Sequence, residues 1–211
     1  DFNEISIESL AGADVCIDFS HPDAVVDNVR AIASQGLNLV IGTTGWYDRL
    51  DEIEAIAKEF DTGIIYAANF SIGVQAFCQI IEHAAKIFHK LEHYDVAGIE
   101  IHHNKKVDNP SGTAKVLGQI LLDNIDRKKN LVNEMGNRAM LPEELHFSSV
   151  RCGSDPGHHS IHFDSSADSV VLSHKARNRN GFAEGAVVAA EWIRGKKGVF
   201  SIKDMMNELI N

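Results

Sequence analysis

Three short, nearly all-apolar runs, separated by segments with helical spacing, constrain this chain more than any other feature. "ADVCIDFSHP" carries Val15, Ile17 and Phe19 in a β-like run that stops at Ser20 to Pro22, and "DAVVDNVRAIASQG" then repeats apolar residues at helical intervals as far as Gly36. A second run, "LNLVIGTTGW", is followed by the helical "YDRLDEIEAIAKEF" and a third run, "TGIIYAANFS". Strands that are apolar without alternation are buried on both faces, and a βαβαβ order supplies the helices that bury them. The first part of the chain is therefore expected to be a parallel sheet covered by helices. Ligands of such sheets bind at the carboxyl ends of the strands, where "DFSHP", "GTTG" and "AANFS" fall as small, polar or Gly-bearing loops.

The rhythm changes after residue 71. "IGVQAFCQIIEHAAKIFHKL" is a long amphipathic helix, "YDVAGIEIHH" a strand and "TAKVLGQILLDNI" a helix, while "LHFSSVRCG", "HHSIHFD" and "SVVLSHKA" alternate as strands. A mixed α+β domain over 72–179 is expected, with an open sheet for which the alternating strands favour antiparallel pairing. "GFAEGAVVAAEWIRG" then reads as a small-residue helix, and 180–211 are assigned with 1–71 to the first domain.

The net charge of −10 argues against general nucleic-acid binding, which needs at least a local basic excess, and no long uncharged apolar run is present to span a bilayer. Cys16, Cys78 and Cys152 form an odd, widely spaced set without CxxC, which fits a reducing compartment. With no leader-like start at "DFNEISIES", the chain reads as cytoplasmic.

Against that acidic background, "HHNKKVDNPSGTA" at 102–114 gathers two histidines, two lysines, an aspartate and a Pro-Ser-Gly-Thr turn immediately before a helix. Ser111 or Thr113 is placed to cap that helix, and amides from Gly112 onward point out of its positive end, which makes an anion site. Lys106, in the connecting loop, and His102 and His103, at the end of the preceding strand, add cationic and proton-donating groups. The pattern suits a small acidic substrate. Five histidines in the region (102, 103, 158, 159 and 162) also raise a metal reading, but there is no pair at helical metal-ligand spacing, and the neighbours His158 and His159 face opposite ways on a strand. No metal is expected.

The same residues carry a resemblance. "EIHHNKKVDNPSGTA" closely resembles the E-x-H-H-x-x-K-x-D-x-P-S-G-T-A signature of the dihydrodipicolinate reductase (4-hydroxy-tetrahydrodipicolinate reductase) family, and "DVCIDFSHP", "VIGTTGW", "YAANFSIGV", "VRCG…PGHHSIHF" and "HKARNRNGFAEGAV" are similar to its other blocks in the same order. The resemblance implies an NADH- or NADPH-dependent oxidoreductase of diaminopimelate and lysine biosynthesis. It implies an α/β fold with a Rossmann-like nucleotide domain, a mixed substrate domain, and a homotetramer built through the sheets of the latter. His102 and Lys106 match the acid/base positions, with Lys106 as proton donor. His103, Lys106, Ser111, Gly112 and Thr113 match the substrate-carboxylate site, and Arg179 an arginine near the domain junction. Gly42, Thr43 and Thr44, with Ala67, Ala68, Asn69 and Phe70, match loops beside the nicotinamide.

Two departures stand out. The chain is expected to be amino-terminally incomplete, lacking the first strand and Gly-rich phosphate loop of the nucleotide domain, and Ala97 stands where the family usually has an acidic residue. A second reading stays open beside the enzyme: a non-catalytic dicarboxylate-binding module of the same fold.

Overall fold

The computed structural model describes residue 5 and residues 8–210. They fall into two compact units, one of the described residues up to Gln75 together with those from Asn180 onward, and one from Ala76 to Arg179.

In the first unit, β1 (Val15–Asp18), β2 (Asn38–Ile41), β3 (Gly63–Tyr66) and β9 (Gly198–Ser201) make a parallel sheet in the order β1-β2-β3-β9. All four residues of β2 are buried: Leu39, Val40 and Ile41 as apolar side chains between helical layers, and Asn38 with its side chain bonded to Ile193 O and the Gly63 amide. Between β1 and β2, α1 (Val25–Ala33) buries Val25, Val26, Val29, Ile32 and Ala33, spaced along one helical face. Between β2 and β3, α2 (Leu50–Glu59) buries Ile53, Ile56 and Ala57. These side chains pack with Leu39, Ile41, Trp46 and Ile64 in one core. Two further helices belong to this unit, α5 (Asn180–Ile193) and α6 (Ile202–Ile210). Gly185 of α5 lies so close to the Phe70 carbonyl that a Cβ would sit 1.7 Å from its oxygen, so only glycine fits there.

The register aligns Asp18, Ile41 and Tyr66, the last residues of three neighbouring strands, so the loops after them open on one edge. Four-residue β9 and the following α6 were not anticipated; a run as short as "GVFS" carries no readable period.

In the second unit, β4 (Asp95–His102), β5 (Asn130–Val132), β6 (Glu144–Arg151), β7 (His158–Asp164) and β8 (Ser169–Lys175) form a sheet in the order β5-β6-β4-β7-β8. The expected antiparallel pairing holds only for β4 with β7 and β7 with β8; β5, β6 and β4 run parallel. The reason is α4 (Gly112–Asn124), which follows β4 and supplies the crossover that parallel neighbours require. With α3 (Ile72–His89), α4 covers one sheet face, where Ile81, Leu117, Leu121, Leu145, Phe147, Ile161 and Phe163 are fully buried. β4 alternates strictly between partly exposed and buried positions after Asp95, and its buried set is Val96, Gly98, Glu100 and His102.

Candidate active site

The buried face of β4 begins apolar and ends polar. Glu100 is fully buried beneath the start of α4, and it sits in a row directly across four strands: Ser149 on β6, Glu100 on β4, His159 on β7 and His174 on β8. A charge there is tolerable only if its oxygens are occupied. One oxygen is: Glu100 Oε1 accepts from the Ser111 amide at 3.0 Å, from Ser149 Oγ at 2.6 Å and from Arg151 Nη2 at 3.1 Å. Burial alone pushes the Glu100 carboxyl up, but these donors from Ser111, Ser149 and Arg151 more than offset it and leave the group at about 2. It is a carboxylate at any physiological pH.

The other oxygen, Oε2, lies 2.9 Å from His102 Nδ1 and 3.7 Å from His159 Nε2. Neither Oε2 nor Nδ1 has a partner in hydrogen-bond geometry, so the short approach to His102 is electrostatic and off-axis. The two imidazoles meet edge to face, with ring centroids 5.2 Å apart. Burial pushes His159 down to about 4, helped by His102 and opposed by Glu100, and burial likewise lowers His102 against the pull of Glu100. In both rings burial favours the neutral form.

Ser111 is the cap of α4. Its backbone is extended, its Oγ accepts from the Ala114 amide at 3.1 Å, and the same oxygen lies 3.1 Å from His159 Nε2. Gly112, next in the chain, is exposed, and nothing stands within 4 Å of where its Cβ would be. The positive end of the helix is open there. Thr113 is partly buried one step further on.

The loop from His103 to Pro110 is held from both sides. His103 N donates to Asp155 O at 2.8 Å and Asn104 N to Gly153 O at 3.2 Å, while Arg151 Nη2 donates to Asp108 O at 2.8 Å. Arg151 thus ties the loop to Glu100. Within the loop, Lys106 Nζ pairs with Asp108 Oδ1 at 2.7 Å, and that ammonium holds the Asp108 carboxyl below its usual range. His103 is partly buried, with an Nδ1 that is fully covered and lacks a partner.

His102, His103, Lys106, Ser111, Gly112 and Thr113 therefore lie on one strand end, one loop and one helix start of the second unit. Glu100, Ser149, Arg151, His159 and Asp108 belong to the same network; Glu100 and Asp108 stand in the quoted signature and His159 among the five histidines, but none of the five was assigned a role in the site. The signal for Glu100 was available: it is a charge on the otherwise buried face of an alternating strand. Ala97 lies on the opposite face of β4, paired with His146 and His162. Arg179 is exposed at the end of the second unit.

Glu100, His102 and His159 also bring one carboxylate oxygen and two ring nitrogens within 4.8 Å of one another. Sequence spacing did not assemble this trio because β4 and β7 meet only through sheet pairing. Arg151, bound to the same carboxylate, already supplies the balancing positive charge.

In the first unit, the loops matched to the nicotinamide fall at the aligned strand ends. Thr43 is buried and donates from Oγ1 to Asp18 Oδ1 at 3.0 Å, and its carbonyl accepts from Trp46 Nε1 at 2.7 Å. Its role is to hold the loop. Gly42 lets the Phe19 ring approach closely, since a Cβ there would be 2.0 Å from that ring, and Phe19 remains 57% exposed. Thr44 and Ala68 are exposed, Asn69 is half-buried, and Ala67 and Phe70 are buried supports. Small exposed residues beside an exposed aromatic ring fit a flat, partly apolar ring system, and a nicotinamide is one.

A Rossmann-like parallel sheet with loops opening at its carboxyl edge, in one chain with a mixed sheet whose α4 start is open and positive, fits a class: nucleotide-dependent oxidoreductases that hold a small acidic substrate. Residues 3–70 match the family description "Dihydrodipicolinate reductase, N-terminus" and residues 73–206 match "Dihydrodipicolinate reductase, C-terminus". The chain belongs to the dihydrodipicolinate reductase family. It is 38% identical over 196 residues to the 4-hydroxy-tetrahydrodipicolinate reductase of Christiangramia forsetii, covering 93% of this chain and 80% of that one. It is 38% identical over 206 residues to the enzyme of the same name from Chromobacterium violaceum, covering 95% and 76%. Among solved structures, the dipicolinate-bound dihydrodipicolinate reductase of Paenisporosarcina sp. TG-14 superposes with a TM-score of 0.76 at 27% identity, covering 95% of this chain and 77% of that one.

Proposed function

We infer that this protein catalyses the reduction of 4-hydroxy-tetrahydrodipicolinate by NADH or NADPH to tetrahydrodipicolinate, oxidised nucleotide and water, in the route to diaminopimelate and lysine. When bound, the nicotinamide supplies the hydride; Gly42, Thr43, Thr44 and Ala67 to Phe70 form the loops that would hold it. The observation that carries the substrate side is the exposed amide end of α4 at Gly112, anchored from below by Glu100 and flanked in sequence by Lys106 and His103. Amides of Gly112 and Thr113, the Ser111 turn and the two basic side chains bind the substrate carboxylates. Lys106, held in the loop by its pair with Asp108, donates the proton that accompanies the arriving hydride, and His102 serves as the second acid/base group.

The sheet face turned away from α3 and α4 carries Ala97, Ile99, Val150 and Val171, the last two 42% and 50% exposed. Apolar side chains so placed support a homotetramer built through this sheet. No helix among the described residues is long and apolar enough to cross a membrane. With three free cysteines among those residues, a cytoplasmic setting is the reading that fits.

The test is oxidation of NADH and NADPH by the protein, with substrate generated from pyruvate and aspartate semialdehyde by the preceding synthase. Substrate-dependent loss of reduced nucleotide establishes the reductase and its cofactor preference. No loss, in folded protein that still binds dipicolinate by calorimetry, overturns the reading in favour of a non-catalytic module.

A further inference from the structure

We propose that Glu100 is the positioning residue of this site: through one oxygen it fixes the α4 entrance, and through the other it sets which ring nitrogen of His102 carries the proton. The inference rests on the acid/base reading of His102 given above.

Oε1 has three donors and no capacity left, and they join the Ser111 amide, Ser149 of β6 and Arg151, which in turn holds the Asp108 carbonyl of the Lys106 loop. One buried carboxylate therefore fastens both sides of the clamp. Oε2 is equally buried, and its nearest polar neighbour is His102 Nδ1 at 2.9 Å. At that separation the negative partial charge of an unprotonated Nδ1 is repelled by the carboxylate, whereas a polarised Nδ1–H is attracted even off-axis. The proton of the neutral ring thus resides on Nδ1, and Nε2 keeps the lone pair. Nε2 lies beside Gly157, where an added Cβ would come within 3.0 Å of it. His159, edge-on to His102, closes the other side.

Glu100→Gln tests this. A carboxamide keeps an oxygen for the Ser111, Ser149 and Arg151 donors but turns an NH₂ toward His102, where it needs an acceptor. The readout is the two-bond ¹H–¹⁵N spectrum of ¹⁵N-labelled protein above pH 7, with His102 assigned by comparison with His102→Asn. The expected result is an Nδ1–H ring in the wild-type protein and an Nε2–H ring in Glu100→Gln. The variant's turnover should fall by roughly 10- to 100-fold while its calorimetric Kd for dipicolinate stays within about threefold. An Nε2–H ring in the wild type overturns the proposal, and so does Glu100→Gln with an unchanged ring and wild-type turnover. If Glu100→Gln does not fold, the wild-type spectrum still decides, because it needs no variant at Glu100. A wild-type protein without substrate-dependent nucleotide oxidation overturns the reductase reading instead and leaves the tautomer result standing on its own.

Discussion

His159 Nε2 lies 3.1 Å from Ser111 Oγ, joining the third strand of one sheet row to the residue that starts α4. Ser111 thereby serves the helix twice, since the same oxygen accepts the Ala114 amide. Ser111→Ala removes the cap and the histidine's partner but leaves the backbone bond to Glu100. We expect a loss of about 1–2 kcal/mol in a urea titration, together with weaker dipicolinate binding by calorimetry. An unchanged unfolding midpoint would show that the hydroxyl does not hold the helix start.

Lys106 and Asp108 pair in a partly exposed loop, so their contact adds little to stability, and what Lys106 contributes should appear in the chemistry. Lys106→Ala is expected to lower turnover by roughly 10²- to 10⁴-fold while shifting stability by less than about 1 kcal/mol. Asp108→Asn leaves the ammonium in place without its anchor, and a smaller loss of turnover is expected. Steady-state kinetics beside chemical denaturation separates the two variants; near-normal turnover of Lys106→Ala would remove it as the proton donor.

How far the sequence could be read depended on whether a contact was local. Helix α4 and its cap were legible because Ser111, Gly112 and Ala114 adjoin in the chain, and the parallel sheet was legible because β1, β2 and β3 lie in short, nearly all-apolar runs separated by segments of helical spacing. The partners of Glu100 were not, because Ser149, Arg151 and His159 reach it only through strand pairing, with registers that no local pattern sets. His159 in particular looked like half of an unproductive histidine pair with His158. Its buried side was settled by β7 running antiparallel beside β4, which placed it opposite Glu100. The burial of Thr43 followed from Asp18 turning its carboxylate inward, again a contact between separate strand ends.

Gly157 has a φ of +145°, which side chains rarely adopt, and its missing Cβ leaves room for His102, 3.0 Å away at Nε2 and 3.4 Å at Cδ2. That ring cannot retreat easily, being held between Glu100 and His159. Gly157→Ala should therefore cost on the order of 1–3 kcal/mol of stability and displace His102. Turnover is expected to fall more than dipicolinate affinity, because the α4 amides are untouched. Calorimetry and kinetics on the same preparation check this; equal losses in both would mean that the whole clamp had moved.

Stability should fall in two partly overlapping steps on acidification. His159, at about 4 when folded and near 6.5 when unfolded, takes up a proton more readily in the unfolded chain, so its contribution is complete above pH 6.5 and lost as pH falls to about 4. At 4% exposure this amounts to at most on the order of 3 kcal/mol, and His102 and His174, also lowered by burial, act in the same direction. Glu100, at about 2 when folded, adds a second loss that begins only below its unfolded value near 4.5. Urea midpoints measured from pH 8 to pH 4 should be level above pH 7 and decline below it, and His159→Gln should flatten that decline. A decline of the same steepness in the variant would place the acid sensitivity in other groups and show that His159 takes up its proton as readily folded as unfolded.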